Sequence, residues 1–220
     1  MIRRVRNGSV FYRVAIERPK LWIGSSYGGF FICPNLSPSS VVYSIGVGQD
    51  ISFDEEIIER FDCHVWAYDP TPKSIDWVNT NSVPAKFHFN PLGISDKDEI
   101  ATFFMPRDDT NVSGSVVESS FVSTDRAIQV ELKCLGSLMV LNQHSQIDLL
   151  KMDIEGAEYK VLENILAQNI PIRQLVVEFH GRLIKNGVRI TNRTIELLRK
   201  RGFRLFAMSN SGEELSFIND

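Results

Sequence analysis

Two pairs of residues in the last third of the chain carry groups that move protons: Asp153 with Glu155, and Glu178 with His180. Each pair sits where a predicted strand ends, and Glu178 and His180, two apart, fall on one side of an extended segment. An imidazole has an ordinary pKa near neutrality and suits general-base work on a hydroxyl, with a neighbour such as Glu178 to orient it. A second set is built to hold a ligand. Gly46-Val47-Gly48 lets the backbone come close to a bound group, and Asp69 can accept hydrogen bonds from both hydroxyls of a ribose. Each has a plainer reading. Two glycines suit any tight strand-to-helix turn, Asp69 followed by Pro70 suits a strand-ending turn, and Glu155 with Glu158 suits a helix start. A glycine turn followed one strand later by an acid nevertheless describes a nucleoside-binding crevice better than either part alone.

The dinucleotide fingerprint asks for a third small residue where helix and strand pack closely, and this chain has Ile51 there, which argues against a pyrophosphate. The stretch Ser52-Phe53-Asp54-Glu55-Glu56 adds three carboxylates at a helix start, where they repel phosphate. A nucleoside bearing a cationic sulfonium suits that acidic rim. An NAD-dependent oxidoreductase, resting on the glycine turn and Asp69 alone, is the second reading. The acids and His180 lack the spacing of a zinc site, so no metal is expected. Trp22 and Tyr27 read as core or lid packing, and His64, His88 and His144 carry no functional argument.

Groups so distant in sequence meet only if strands end side by side. Short apolar runs followed by turn residues and helical patterns recur in the order of an open α/β sheet with helices on both faces. Val41-Val42-Tyr43-Ser44-Ile45 reads as the first strand. A helix over 54–61 follows, with Ile57, Ile58 and Phe61 on one face and Ser52 and Glu55 spaced as a capping box. His64-Val65-Trp66-Ala67-Tyr68 is the second strand, 74–78 a short helix, and Phe87-His88-Phe89 the third strand, ending in Pro91-Leu92-Gly93. The pattern then changes. Residues 95–132 read as an insertion of edge strands around a polar stretch at 108–125, a place for substrate contacts. Beyond it come a strand over 148–153, a helix over 157–168 and the strand Leu175-Val176-Val177-Glu178-Phe179. Asn192 can cap a helix running to Arg201 and closed by Gly202, and Asn210-Ser211-Gly212 predicts a closing antiparallel hairpin.

Composition is compatible with this plan. The chain has 220 residues, 43 % hydrophobic and 23 % charged, which describes a globular protein. At this length about 70 % of the unfolded surface is buried on folding, enough for one domain without staples. Twenty-four Lys and Arg against 27 Asp and Glu give a net charge of −3, offering no global field for nucleic acid or an anionic membrane. Cys33, Cys63 and Cys134 lie far apart without a C-x-x-C, which suits a reducing cytoplasm. Met1-Ile2-Arg3-Arg4-Val5-Arg6 is not followed by an apolar run of signal length, and no stretch is long enough to span a bilayer.

One segment is more specific than the rest. Asp148-Leu149-Leu150-Lys151-Met152-Asp153-Ile154-Glu155-Gly156-Ala157-Glu158 resembles the D-L-L-K-x-D-x-E-G-A-E signature of the FkbM family of S-adenosylmethionine-dependent methyltransferases. Val41 to Gly48, Asp69-Pro70, Val176 to His180 and Tyr27-Gly28-Gly29-Phe30 are similar to the family's other landmarks, so the likeness runs from about Tyr27 to the C-terminus. The resemblance implies a Rossmann-like class I methyltransferase sheet of seven strands, mostly parallel, with a C-terminal antiparallel hairpin. It divides the chain into an N-terminal extension at 1–40, packed on the core, and a methyltransferase domain at 41–220. S-adenosyl-L-methionine is the implied cofactor. Gly46, Val47 and Gly48 would pass beneath its methionine part, Asp69 with Pro70 would hold the ribose, Leu92 and Gly93 would flank the adenine, and Asp153 would close the pocket. Ser44 stands where many relatives carry the acid for the cofactor's ammonium; a hydroxyl is a weaker partner, and Asp50 is the candidate to compensate. The implied reaction is methylation of a hydroxyl oxygen on a small molecule or sugar, with Asp153, Glu155, Glu178 and His180 as catalytic candidates. Because of Ser44, a cofactor-binding module without turnover is a further alternative.

Overall fold

The computed structural model describes residues 3–6, 9–108, 112, 114–116 and 122–220. In chain order, two short hairpins come first, β1 (Arg3–Arg6) with β2 (Ser9–Tyr12) and β3 (Leu21–Ile23) with β4 (Phe30–Ile32). Then follow β5 (Val41–Ile45), α1 (Ser52–Phe61), β6 (His64–Tyr68), α2 (Pro72–Thr80), β7 (Phe87–Asn90), β8 (Gly93–Ile94), β9 (Glu99–Pro106) and β10 (Val122–Lys133). The C-terminal half contains α3 (Leu135–Leu141), β11 (Ile147–Met152), α4 (Glu158–Ala167), β12 (Ile172–Glu178), a 3-10 turn at Gly181–Leu183, α5 (Gly187–Lys200), β13 (Arg204–Met208) and β14 (Glu214–Ile218).

The main sheet has seven strands in the order β13-β14-β12-β11-β5-β6-β7. Neighbours from β12 to β7 run parallel, and β14 is antiparallel to both β12 and β13, which gives the mostly parallel sheet and terminal hairpin. Both faces are covered, which explains the near-continuous apolar runs; all six residues of β11 are buried. Strand alternation divides them. Tyr43, Ile45, Leu150 and Met152 pack with Leu138 of α3, Leu162 of α4 and Leu198 of α5 on one face. Val42 and Leu149 pack with Phe53 and Ile57 of α1, and with Ile23, Phe30 and Ile32 of the β3–β4 hairpin, on the other. From β5 the chain steps by α1 to β6 and by α2 to β7, whereas from β11 it steps by α4 to β12 in the opposite direction. The connections after β5 and β11 therefore diverge, and a crevice opens at their C-terminal ends.

Several expected details differ. The capping box does not form, because α1 begins at Ser52 itself; the Ser52 N–H donates to Asp50 Oδ1 at 2.9 Å, and its hydroxyl accepts from the Ser25 N–H at 2.8 Å. Helix α5 starts at Gly187, so Asn192 lies inside it and accepts from the Tyr12 hydroxyl at 3.1 Å. The insertion does not extend the main sheet. Strands β8, β10 and β9 form a separate three-stranded sheet with its own small core of Phe103, Val130 and Leu132. Alternation marks such strands, whereas their partners depend on which apolar faces meet. Part of the polar stretch, 109–111, 113 and 117–121, lies outside the described residues. Among the described residues no helix is long and apolar enough to cross a membrane.

Candidate functional site

The first wall of the crevice is the turn after β5. Gly46 adopts φ +82°, and a Cβ there would stand 1.7 Å from the Asp153 carbonyl oxygen, so no side chain fits where the ends of β5 and β11 close on each other. Three bonds lock this approach: Gly46 N–H donates to Tyr68 O at 3.0 Å, Asp153 N–H donates to Ile45 O at 2.9 Å, and Lys151 Nζ donates to Gly46 O at 2.5 Å. Gly48, at φ +62°, faces open space: a Cβ there would meet no atom within 4 Å. The carboxylate of Asp69 holds the turn from the next strand. Its Oδ2 accepts from Val47 N–H at 3.0 Å and Gly48 N–H at 2.8 Å, while Oδ1 accepts from Thr71 N–H at 2.8 Å.

Beneath the turn the two residues expected to supply charge separate. Asp50 lines the cavity, and although burial opposes its charge, hydrogen bonds from Ser25 and Ser52 keep its carboxyl below the ordinary value. Ser44 is fully buried, points with Val42 toward α1, and does not line the cavity. The expectation that Ser44 meets the cofactor's ammonium is thereby corrected. Of the three acids at the start of α1, Asp54 also points into the protein, and Glu56 accepts from Gly24 N–H at 2.8 Å. Neither forms the expected acidic rim. Burial pushes the Asp54 carboxyl up to about 6, against the pull of Lys151 and the nearby Ser44 hydroxyl, which is not in hydrogen-bonding geometry with it.

The second wall is a cluster at the ends of β11 and β12. After β11 the chain turns through two left-handed residues, Glu155 at φ +52° and Gly156 at φ +102°. For a residue other than glycine this costs on the order of 1–3 kcal/mol, and such strain concentrates at functional sites. Glu158, fully buried, accepts from Gly156 N–H at 3.0 Å and from His180 Nδ1–H at 2.7 Å. It is Glu158, and not Glu178, that orients His180. The opposite ring nitrogen, Nε2, faces three carboxylates: Glu155 Oε2 and Glu178 Oε1, each at 3.3 Å, and Asp153 Oδ1 at 3.6 Å. Burial disfavours the imidazolium, but the carboxylates of Glu158, Glu178 and Asp153 outweigh it and raise His180 to about 11. An imidazolium held among these carboxylates is a poor proton acceptor, so the direction of this shift disfavours His180 as the general base. Burial and Glu178 lift Asp153 to about 7 against Lys151 and His180. Glu178 stays below its ordinary value because His180 and Arg182 overcome its burial.

The two walls enclose a cavity of about 740 Å³, within the range of ligand sites. It is lined by Gly46, Val47, Gly48, Asp50, Asp69, Pro70 and Gly93 together with Asp153, Glu155, Glu178 and His180. Leu92 is not part of the lining; it packs against the core beside β7, which corrects its place next to an adenine. The structure adds Thr71, Ser74, Ile94 and, from the insertion, Phe103 and Leu132. It adds Tyr27 as well, 86 % exposed at the rim, and Lys151, only 4 % exposed. A lysine among the apolar residues Leu149, Leu150 and Met152 was the available signal for Lys151, since lysines are almost never buried without a partner. Metal-ligating atoms of Asp153, Glu155 and His180 all lie within 4.8 Å of one another, a grouping that spacing along the chain does not reveal.

The family described as Methyltransferase FkbM domain matches residues 39–205. Probable methyltransferase-like protein 24 of Homo sapiens is 27 % identical over 141 residues, 63 % of this chain and 32 % of that protein. The Rattus norvegicus protein of the same description is 26 % identical over 175 residues, covering 75 % of this chain and 42 % of its own length. The chain thus spans less than half the length of these relatives. A solved structure, the Methanococcus jannaschii fibrillarin pre-rRNA processing protein, aligns with a TM-score of 0.47 and 10 % identity over 83 % of this chain and 67 % of its own. With the family match covering most of its length, the chain belongs to the FkbM methyltransferase domain family.

Proposed function

We propose that this protein transfers a methyl group from S-adenosylmethionine to a hydroxyl oxygen of a small molecule or sugar. The observation that carries the reading is the cavity at the β5–β11 switch, with a glycine turn and Asp69 on one wall and four proton-handling residues on the other. The residues fit the cofactor: Gly48 leaves open space where a side chain would stand, and the lining is rich in carboxylates that suit a cation and repel phosphate. When bound, that cofactor supplies an electrophilic methyl group on a sulfonium. The backbone of Gly46, Val47 and Gly48 would hold it, with Asp69, Pro70 and Gly93 toward its nucleoside and Asp50 at the rim.

The acceptor belongs beside Asp153, Glu155 and Glu178. Methyl transfer asks the protein mainly to align donor and acceptor and to remove one proton. The hydroxyl proton passes to the carboxylate cluster, in which Asp153 stands against the Gly46 turn and therefore nearest the donor. Glu158 and His180 position the cluster rather than touch the acceptor. The binding-module alternative no longer rests on Ser44, which does not line the cavity, and is decided by whether labelled methyl reaches an acceptor. Buried Cys33 and Cys63, both free, support a reducing compartment such as the cytoplasm as part of this proposal.

A thermal-shift series tests the reading. A ligand at 100 times its dissociation constant adds about 2.7 kcal/mol to stability. S-adenosylhomocysteine is expected to stabilise the chain and NAD to leave it unchanged; the reverse result overturns the proposal in favour of the oxidoreductase.

A further inference from the structure

We propose that Asp153, Glu155 and His180, with Glu178 beside them, form a divalent-cation site whose open positions take two adjacent oxygen atoms of the acceptor. The cation's role in catalysis rests on the methyl-transfer reading above; its binding does not.

The argument begins with His180, which is 1 % exposed. Its Nδ1 is committed to Glu158 Oε1 at 2.7 Å, and Glu158 is itself fixed by the Gly156 N–H, so the ring cannot turn. A histidine that donates one ring N–H to a carboxylate and aims the other nitrogen into a cavity is the usual arrangement of a metal ligand. Here Nε2 faces oxygens of Asp153, Glu155 and Glu178 at 3.3–3.6 Å, all longer than the 2.7 Å bond on the other side of the ring, with Glu178 as its nearest hydrogen-bonding neighbour. One proton on Nε2 can serve one of these oxygens at a time. A cation in its place serves all of them.

The neighbouring positive groups relieve the cluster only in part, Arg182 Nη1 standing 3.6 Å from Glu178 Oε1. Lys151 Nζ is engaged by Gly46 O at 2.5 Å, and Arg182 Nη1 by Glu213 at 2.7 Å. The donor set, one imidazole nitrogen and carboxylate oxygens with no thiolate, suits Mn²⁺, Mg²⁺ or Zn²⁺ and excludes soft ions. Three protein donors leave positions open, as catalytic sites require, and a cation there would lower the pKa of an acceptor hydroxyl, whose proton passes to the Glu178 carboxylate beside the site as the oxygen takes the methyl group. Two open positions select an acceptor with neighbouring oxygens, such as a vicinal diol.

Mn²⁺ is the probe, added to the full chain without cofactor or acceptor, and free Mn²⁺ is followed by its electron paramagnetic resonance signal. The expectation is one bound equivalent, with the dissociation constant raised ten-fold or more in Glu155→Gln and in Asp153→Asn. Glu155 is partly exposed, so its amide variant should keep the wild-type melting temperature and separate ligation from folding. Undiminished free Mn²⁺ at millimolar protein, or equal binding by wild type and both variants, overturns the site. S-adenosylhomocysteine binding, measured in parallel, keeps the two readings apart: its retention without Mn²⁺ binding removes only the cation, and its loss with Mn²⁺ binding intact removes only the cofactor assignment.

Discussion

Asp54 permits a quantitative test of how charge is arranged beneath the glycine turn. Its carboxylate is fully buried on α1, without a hydrogen bond, and faces Lys151 of β11, Ser44 of β5 and Asp50 of the turn. Burial lifts it from the ordinary 3.8 to about 6, so between those values the native chain binds a proton that the unfolded chain has released. The native chain then carries more protons than the unfolded one, and stability falls as pH rises through this window. At 1.36 kcal/mol per pH unit the loss amounts to about 3 kcal/mol, complete above about pH 6. Asp54→Asn removes the titration while keeping the shape. Urea unfolding of both proteins from pH 3.5 to 7.5 should show the variant gaining on wild type by about 3 kcal/mol across the window. Parallel curves would refute the reasoning, because they would mean that Lys151 compensates the buried charge in full.

Other variants separate the tasks of the two walls. Asp69→Ala strands three backbone N–H groups and should cost about 3 kcal/mol or more in urea unfolding, with loss of S-adenosylhomocysteine binding by calorimetry; unchanged affinity would remove Asp69 from the cofactor wall. Gly46→Ala should prevent native packing, as read by the near-ultraviolet spectrum, since its Cβ falls 1.7 Å from the Asp153 carbonyl oxygen. Gly48→Ala has room, so it should fold with a penalty of about 1–2 kcal/mol from its left-handed backbone and show its larger effect in cofactor affinity. Tyr27→Ala, at a residue 86 % exposed on the rim of the cavity, should change stability by less than about 0.5 kcal/mol yet reduce labelled-methyl transfer in a metabolite extract; an unchanged rate would remove Tyr27 from the working part of the site.

The sequence by itself determined the strands and helices of the main sheet from Val41 onward, apart from helix α3, which carried no signal that was read. Apolar runs such as Val41 to Ile45 and Leu149 to Met152 can only be strands buried on both faces, and the glycine turn and Asp69-Pro70 mark where two of them end. Signals of this kind are local, carried by periodicity and by the backbone demands of glycine and proline. Only the tertiary structure decided which side chains meet. Ser44 and Asp50, six residues apart, part company because strand alternation turns one toward α1 and the turn leaves the other at the cavity. Glu158 rather than Glu178 grips His180, because α4 carries it back over the end of β12, a contact between elements that periodicity does not encode. The insertion's strands chose one another over the main sheet for the same reason. The carboxylates around His180 become one electrostatic unit only when β11 and β12 end side by side: an ionisable group's behaviour is set by distance and burial, and neither is a property of sequence spacing.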